Sequence, residues 1–258
     1  LRYLHVALLW VLIAGGVVAP VAATSGAPEF LVISDIHFDP FADPQLFSRL
    51  QHSPATAWAS IFDAGAGTGF SQAGSDSNYA LLKSSLDSAR ERVPEPDFVF
   101  YGGDLLAHGW QAKYDALAPQ SHRDDPAAFQ SFTARVLKFL AGMFVERFPG
   151  TPIFATLGNS DAFCGDYQLE PGGAFLRQFA DTWRPLIVNA GRLGWNDENL
   201  ALGGYYSIAL SAMRSTRLVV LNTVFFSARY TNSCGCSDQT PALDQLRWLE
   251  QTLEKAAQ

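Results

Sequence analysis

Apolar residues gather in short runs at Phe30–Ser34, Phe98–Tyr101, Ile153–Leu157, Tyr205–Leu210 and Leu218–Leu221. They are mostly continuous rather than alternating, the pattern of strands covered on both faces. Between them the period changes to that of helices. Leu82, Leu86, Ala89 and Val93 fall on one stripe, and Phe129, Phe132, Val136, Phe139 and Met143 on another. Asp125-Pro126 supplies a cap and a first-turn proline for the second stripe. Thr240-Pro241 opens a last helix in the same way, with Leu243, Leu246, Leu249 and Leu253 predicted on its inner side. Strand alternating with helix predicts an α/β fold whose sheets are mixed and largely parallel. The Gly/Ser-rich stretch from Gly65 to Ser77 reads as a long loop near the surface or a cleft.

Four of the five β runs end in polar chemistry. The first leads into Asp35-Ile36-His37, the second into Gly102-Gly103-Asp104, and the third into Gly158-Asn159-Ser160-Asp161; the last is followed by Asn222. Ligands of open α/β sheets bind outside the carboxyl ends of the strands. Asp35, His37, Asp104, Asn159 and Asn222 are therefore predicted to reach a common rim. Mixed carboxylate, imidazole and amide donors suit divalent ions such as zinc, iron or manganese. Two such ions can clamp a phosphate between them. An Asp-x-His or a Gly-Asn-x-Asp alone would only cap a turn; three such segments on separate β runs point to a site.

With 258 residues and 48% hydrophobic composition, the chain can bury the core of one large α/β domain. A formal net charge of -7 excludes the basic surface of a nucleic-acid binder. Residues 1–23 read as a secretory signal peptide: Arg2 and His5, an apolar run from Ala7 to Val18, then small residues ending at Ala23. This predicts a secreted or periplasmic protein with no stable membrane span after cleavage. The alternative is a membrane anchor formed by Val6 to Val21. Export permits disulfides, and Cys164 paired with Cys234 or Cys236 is the expected bridge among the three cysteines.

The blocks SDIHFDP, GGDLLAH and GNSD resemble the first three motifs of the calcineurin-like metallophosphoesterases. GGYYSIAL, LVVLNT and DQLRWLEQTL are similar, in that order, to stretches of the acid-sphingomyelinase-like phosphodiesterases and their endopolyphosphatase relatives. The resemblance runs from Phe30 to the end and implies a layered αββα sandwich with residues 28–258 as the N-terminal, incomplete part of a catalytic domain. It also implies two divalent metal ions: Asp35 and His37 on the first, Asp104 bridging, Asn159 on the second. The implied reaction is hydrolysis of a phosphodiester or phosphoanhydride bond, with a small soluble ester or polyphosphate as substrate.

Two departures from the family bear on activity. Ser160 stands where the family carries His, and a serine hydroxyl cannot act as an acid near neutral pH. His108 becomes the candidate acid, and Asp161 a candidate for orienting its neighbours. The family's later His-bearing blocks would begin where this chain stops, at Gln258, so the expectation is a C-terminally truncated, poorly active form lacking the last strands. His52 and His122 read as loop residues rather than ligands. A non-catalytic secreted binding protein, or an inactive fragment of the same fold, is the alternative to the enzyme.

Overall fold

The structure is a computed structural model that describes residues 27–65, 69–188, 198–210, 213, 215–232 and 240–256. The signal-peptide segment 1–23, Cys234 and Cys236 lie outside the described residues. Cys164 is disulfide-bonded.

The five β runs all form strands within a residue or two of their predicted bounds: β1 (Phe30–Ile33), β2 (Phe98–Tyr101), β3 (Ile153–Ala155), β4 (Tyr206–Ala209) and β5 (Arg217–Val220). Helices α1 (Phe47–His52), α2 (Trp58–Asp63) and α3 (Tyr79–Arg92) lie between β1 and β2. Helices α4 (Trp110–Leu117), α5 (Gln120–Arg123) and α6 (Pro126–Arg147) connect β2 to β3. Helices α7 (Ala174–Val188) and α8 (Glu198–Gly203) precede β4, and α9 (Thr240–Ala256) follows β5.

The first three strands make one parallel sheet in the order β1-β2-β3, with Phe30 opposite Phe98 and Val99 opposite Ile153. Parallel neighbours need long crossovers, and the helices provide them. The Asp125 side chain accepts from Ala127 N and Pro126 opens α6, as the sequence predicts. The stripe of α6 is buried: Phe132 lies against Phe41, Phe47 and Trp58 at ring separations of 5.4–5.5 Å. This aromatic core anchors the segment after β1, which carries the first candidate ligands.

The last two strands supply the mixed character that the sequence predicts, since β4 and β5 form an antiparallel pair. The pair docks beside β3 through side chains. Ala155 N donates to the Tyr206 hydroxyl, and that hydroxyl donates to Ala155 O, both at 2.9 Å. Thr156 Oγ1 donates to Leu221 O at 2.9 Å. Burial raises the Tyr206 phenol far above its usual range, so it stays neutral and can serve as both donor and acceptor.

Two burial expectations are corrected. Strand β1 is at the edge of its sheet among the described residues, and Phe30 and Val32 are exposed rather than covered. On α9, Leu243, Leu246 and Leu253 face outward, while Ala242 and Gln245 face in. Gln245 wins the inner position because its amide pairs with both backbone groups of Asn222: Asn222 N donates to Oε1 at 2.7 Å and Nε2 donates to Asn222 O at 2.9 Å. An apolar side chain there would leave both buried groups unpaired.

Candidate functional site

Past their ends, the first two strands keep running side by side. Asp35 N donates to Gly103 O, His37 N to Asp104 O and Phe38 N to Leu105 O, at 2.9–3.0 Å. This continued pairing brings the polar tips of β1 and β2 to one rim. Asp35, His37 and Asp104 adopt left-handed backbone, with φ of 56°, 43° and 60°. Such conformations cost roughly 1–3 kcal/mol each in non-glycine residues and concentrate at functional sites. The turn after β3 fits beneath. A Cβ on Gly158 would lie 2.3 Å from Asp104 Cγ, so only glycine lets the loop approach the carboxylate. Gly158→Ala is expected to displace the Asp104 carboxylate and weaken metal binding at least about tenfold, the scale seen when a ligand's support is lost; titration calorimetry with zinc measures it.

One ligand atom each from Asp35, His37 and Asp104 lies within 4.8 Å of the others. His37 Nδ1 faces Leu106 O at 3.1 Å. A carbonyl only accepts, so Nδ1 carries a proton, which leaves Nε2, 4.0 Å from Asp104 Oδ2, as the nitrogen available to a metal ion. The Ser34 hydroxyl donates to the Asp35 carboxylate. Asp104 Oδ1 accepts from Ser160 N at 2.9 Å and Ser160 Oγ at 2.7 Å. One oxygen of Asp104 is thus held by the protein and the other faces His37. This donor set fits a divalent cation: two carboxylates and a correctly tautomerised imidazole converge. Asn159 is half-buried between Gly158 and Ser160, both of which touch Asp104, and its carbonyl accepts from Tyr167 N.

Asp161 is enclosed, 1% exposed. Its carboxylate accepts from the backbone N–H groups of Asp104, Leu105, Leu106 and Gly158 at 2.8–3.2 Å. Burial pushes its carboxyl up to about 7 and the neighbouring Asp104 charge adds to that, while the N–H donors pull it down. Its oxygens tie the turn after β2 to the turn after β3, the geometry of a positioning residue. Asn222, by contrast, is not at the rim. It is fully buried, its side chain donating to Gly203 O and accepting from Val224 N.

His108 stands exposed at the edge of the cluster, its ring stacked on His37 at 4.1 Å. Its Nδ1 lies 2.7 Å from Asp76 Oδ1. Asp76 comes from the Gly/Ser-rich loop, which carried no periodic signal to single it out. Its other oxygen accepts from Lys113 Nζ at 2.5 Å, and Lys113 also reaches Asp39 at 2.6 Å. Burial would raise Asp76, but Lys113 and His108 outweigh it and hold the carboxyl below its usual range. A cleft of about 810 Å³ opens here, lined by Phe70, Gln72, Asp76, His108 and Lys113 among others. His52 is exposed and bonds Ser48 O; His122 is half-buried and held by Gln51.

Comparison with known proteins gives this geometry a context. The profile of a family described as calcineurin-like phosphoesterase matches residues 28–254. Acid sphingomyelinase-like phosphodiesterase 3b of Mus musculus is 29% identical over 237 residues, 89% of this chain and 45% of that protein. Sphingomyelinase phosphodiesterase C of Dictyostelium discoideum is 26% identical over 230 residues, 89% of this chain and 46% of that protein. Cyclic GMP-AMP phosphodiesterase SMPDL3A of Rattus norvegicus is 24% identical over 251 residues, 93% of this chain and 49% of that protein. The chain thus spans about half the length of these relatives.

Proposed function

This chain belongs to the calcineurin-like phosphoesterase family, and from that premise we propose that it carries the site of an exported, two-metal phosphodiesterase. The observation that carries the reading is the convergence of Asp35, His37 and Asp104 at the ends of adjacent parallel strands. In this reading Asp35, His37 Nε2 and Asp104 would hold one ion, and Asp104 with the Asn159 amide would hold the second. When bound, the ions would supply Lewis-acid polarisation of the phosphate and a hydroxide nucleophile at neutral pH. Ser160 holds one oxygen of Asp104 and Asp161 fixes the backbone around it. His108, exposed in the cleft, delivers a proton to the departing alkoxide. The relatives' names speak of phosphodiesters, so a diester is the first substrate class; phosphoanhydrides and polyphosphate come second, because the -7 charge of the chain opposes deep attraction of a polyanion. No helix of the described residues is long and apolar enough to cross a membrane. Export rests on residues 1–23 as a signal peptide, and the bonded state of Cys164 accords with an oxidising compartment.

The test is hydrolysis of bis(p-nitrophenyl) phosphate by the metal-loaded protein, abolished by a chelator and restored by metal. Metal bound without turnover would replace this reading with that of a binding protein. His108→Ala is expected to slow diesters of aliphatic alcohols about a hundredfold, the scale of a lost general acid. Nitrophenyl esters, whose leaving group needs no proton, should slow only a few-fold by comparison. Equal slowing of both would remove His108 from the acid role.

A further inference from the structure

We propose that Asp76 is the positioning residue for His108, holding its ring so that Nε2 faces the substrate, with Lys113 and Asp39 bracing Asp76 from behind. This rests on the reading of His108 as the leaving-group acid and extends it to a residue that no motif marks.

The contacts run as a chain. His108 Nδ1 lies 2.7 Å from Asp76 Oδ1, and a carboxylate only accepts, so Nδ1 carries a proton. Lys113 Nζ then takes Asp76 Oδ2 at 2.5 Å and Asp39 Oδ2 at 2.6 Å. Asp39 Oδ1 is held in turn by Phe41 N at 2.9 Å. The Asp76 side chain is only 9% exposed, whereas that of His108 is 60% exposed. The buried partner is therefore the fixed one, and the histidine is the part that reaches into the cleft. The loop bearing Asp76 is fixed as well. Ser77 N donates to His37 O at 3.0 Å and Asp39 N donates to Ser77 O at 2.8 Å, which registers Asp76 against the candidate metal ligands. An imidazole stacked on His37 and pinned at Nδ1 has little freedom left to rotate.

The same atoms could be read as a metal site, since His37, Asp76 and His108 also cluster within 4.8 Å. The ammonium of Lys113 argues against that. It already neutralises Asp76, and with His108 it occupies both carboxylate oxygens.

Histidine side-chain ¹H–¹⁵N spectra of the protein report the tautomer directly. Neutral His108 is expected as the Nδ1–H form, and Asp76→Ala should convert it to the Nε2–H form that free imidazoles favour. Asp76→Asn, which nearly preserves shape, should shift it in the same direction. In turnover, Asp76→Ala should slow aliphatic diesters about tenfold or more, as for loss of a residue that orients a functional histidine. It should leave nitrophenyl diesters within a few-fold and add nothing in a His108→Ala background. An unchanged tautomer in both Asp76 variants, or a slowing that multiplies with His108→Ala, would overturn the positioning role. Uniform slowing of both substrate types by His108→Ala itself would overturn the acid reading beneath it, whatever the tautomer does.

Discussion

Replacing Asp104 by Asn is expected to lower hydrolysis of a chromogenic phosphodiester by at least about a thousandfold, roughly 4 kcal/mol of transition-state stabilisation. The substitution barely changes shape. Asn tolerates the left-handed backbone that Asp104 adopts at φ 60°. Its amide oxygen can still accept from Ser160 N and Oγ. That orientation turns the NH₂ group toward His37 Nε2, where Asp104 Oδ2 now offers a negative lone pair. A neutral donor there opposes any cation between the two side chains. Metal content, measured by mass spectrometry, should fall together with activity while the circular dichroism spectrum stays the same. An active, metal-replete Asp104→Asn protein would remove Asp104 from the centre of the site.

Asp161→Ala should act on stability first. Its carboxylate is the acceptor for four backbone N–H groups just past the ends of β2 and β3. Without it those donors are stranded in the interior, and losses of this kind run to about 3–5 kcal/mol. For a domain of this size that corresponds to a fall in Tm of about 10 °C. The turns after β2 and β3 should loosen together, so amide exchange at Leu105, Leu106 and Gly158 should accelerate well beyond that elsewhere in the chain. A Tm within a degree or two of wild type would mean that water replaces the carboxylate and that the clamp is not needed.

The strands and the first three clusters were readable because their signals are local. A continuous apolar run that gives way to a polar ligand-type residue is the same event at β1, β2 and β3, with glycine marking the break after β2 and β3. Parallel pairing then follows from the long helical connections. Asp76 was not readable, because its partners, Lys113 and His108, come from beyond β2 and its own loop has no period. Asn222 misled for a related reason. It follows a strand as Asp35 and Asp104 do, but β5 runs antiparallel in another sheet, and the amide of Gln245 fixes it in the interior. The α9 stripe misled because leucine spacing gives a helix face without giving its direction. A single glutamine with two backbone partners set that direction instead.

The Tyr206 hydroxyl answers both backbone groups of Ala155, and in doing so it closes one border of the three-stranded sheet to recruitment. A foreign strand arriving there would find its templates already taken by a phenol and would have to evict a fully buried ring to gain them. With Thr156 bonded to Leu221 O on the same flank, the unpaired border of this sheet among the described residues is that of β1.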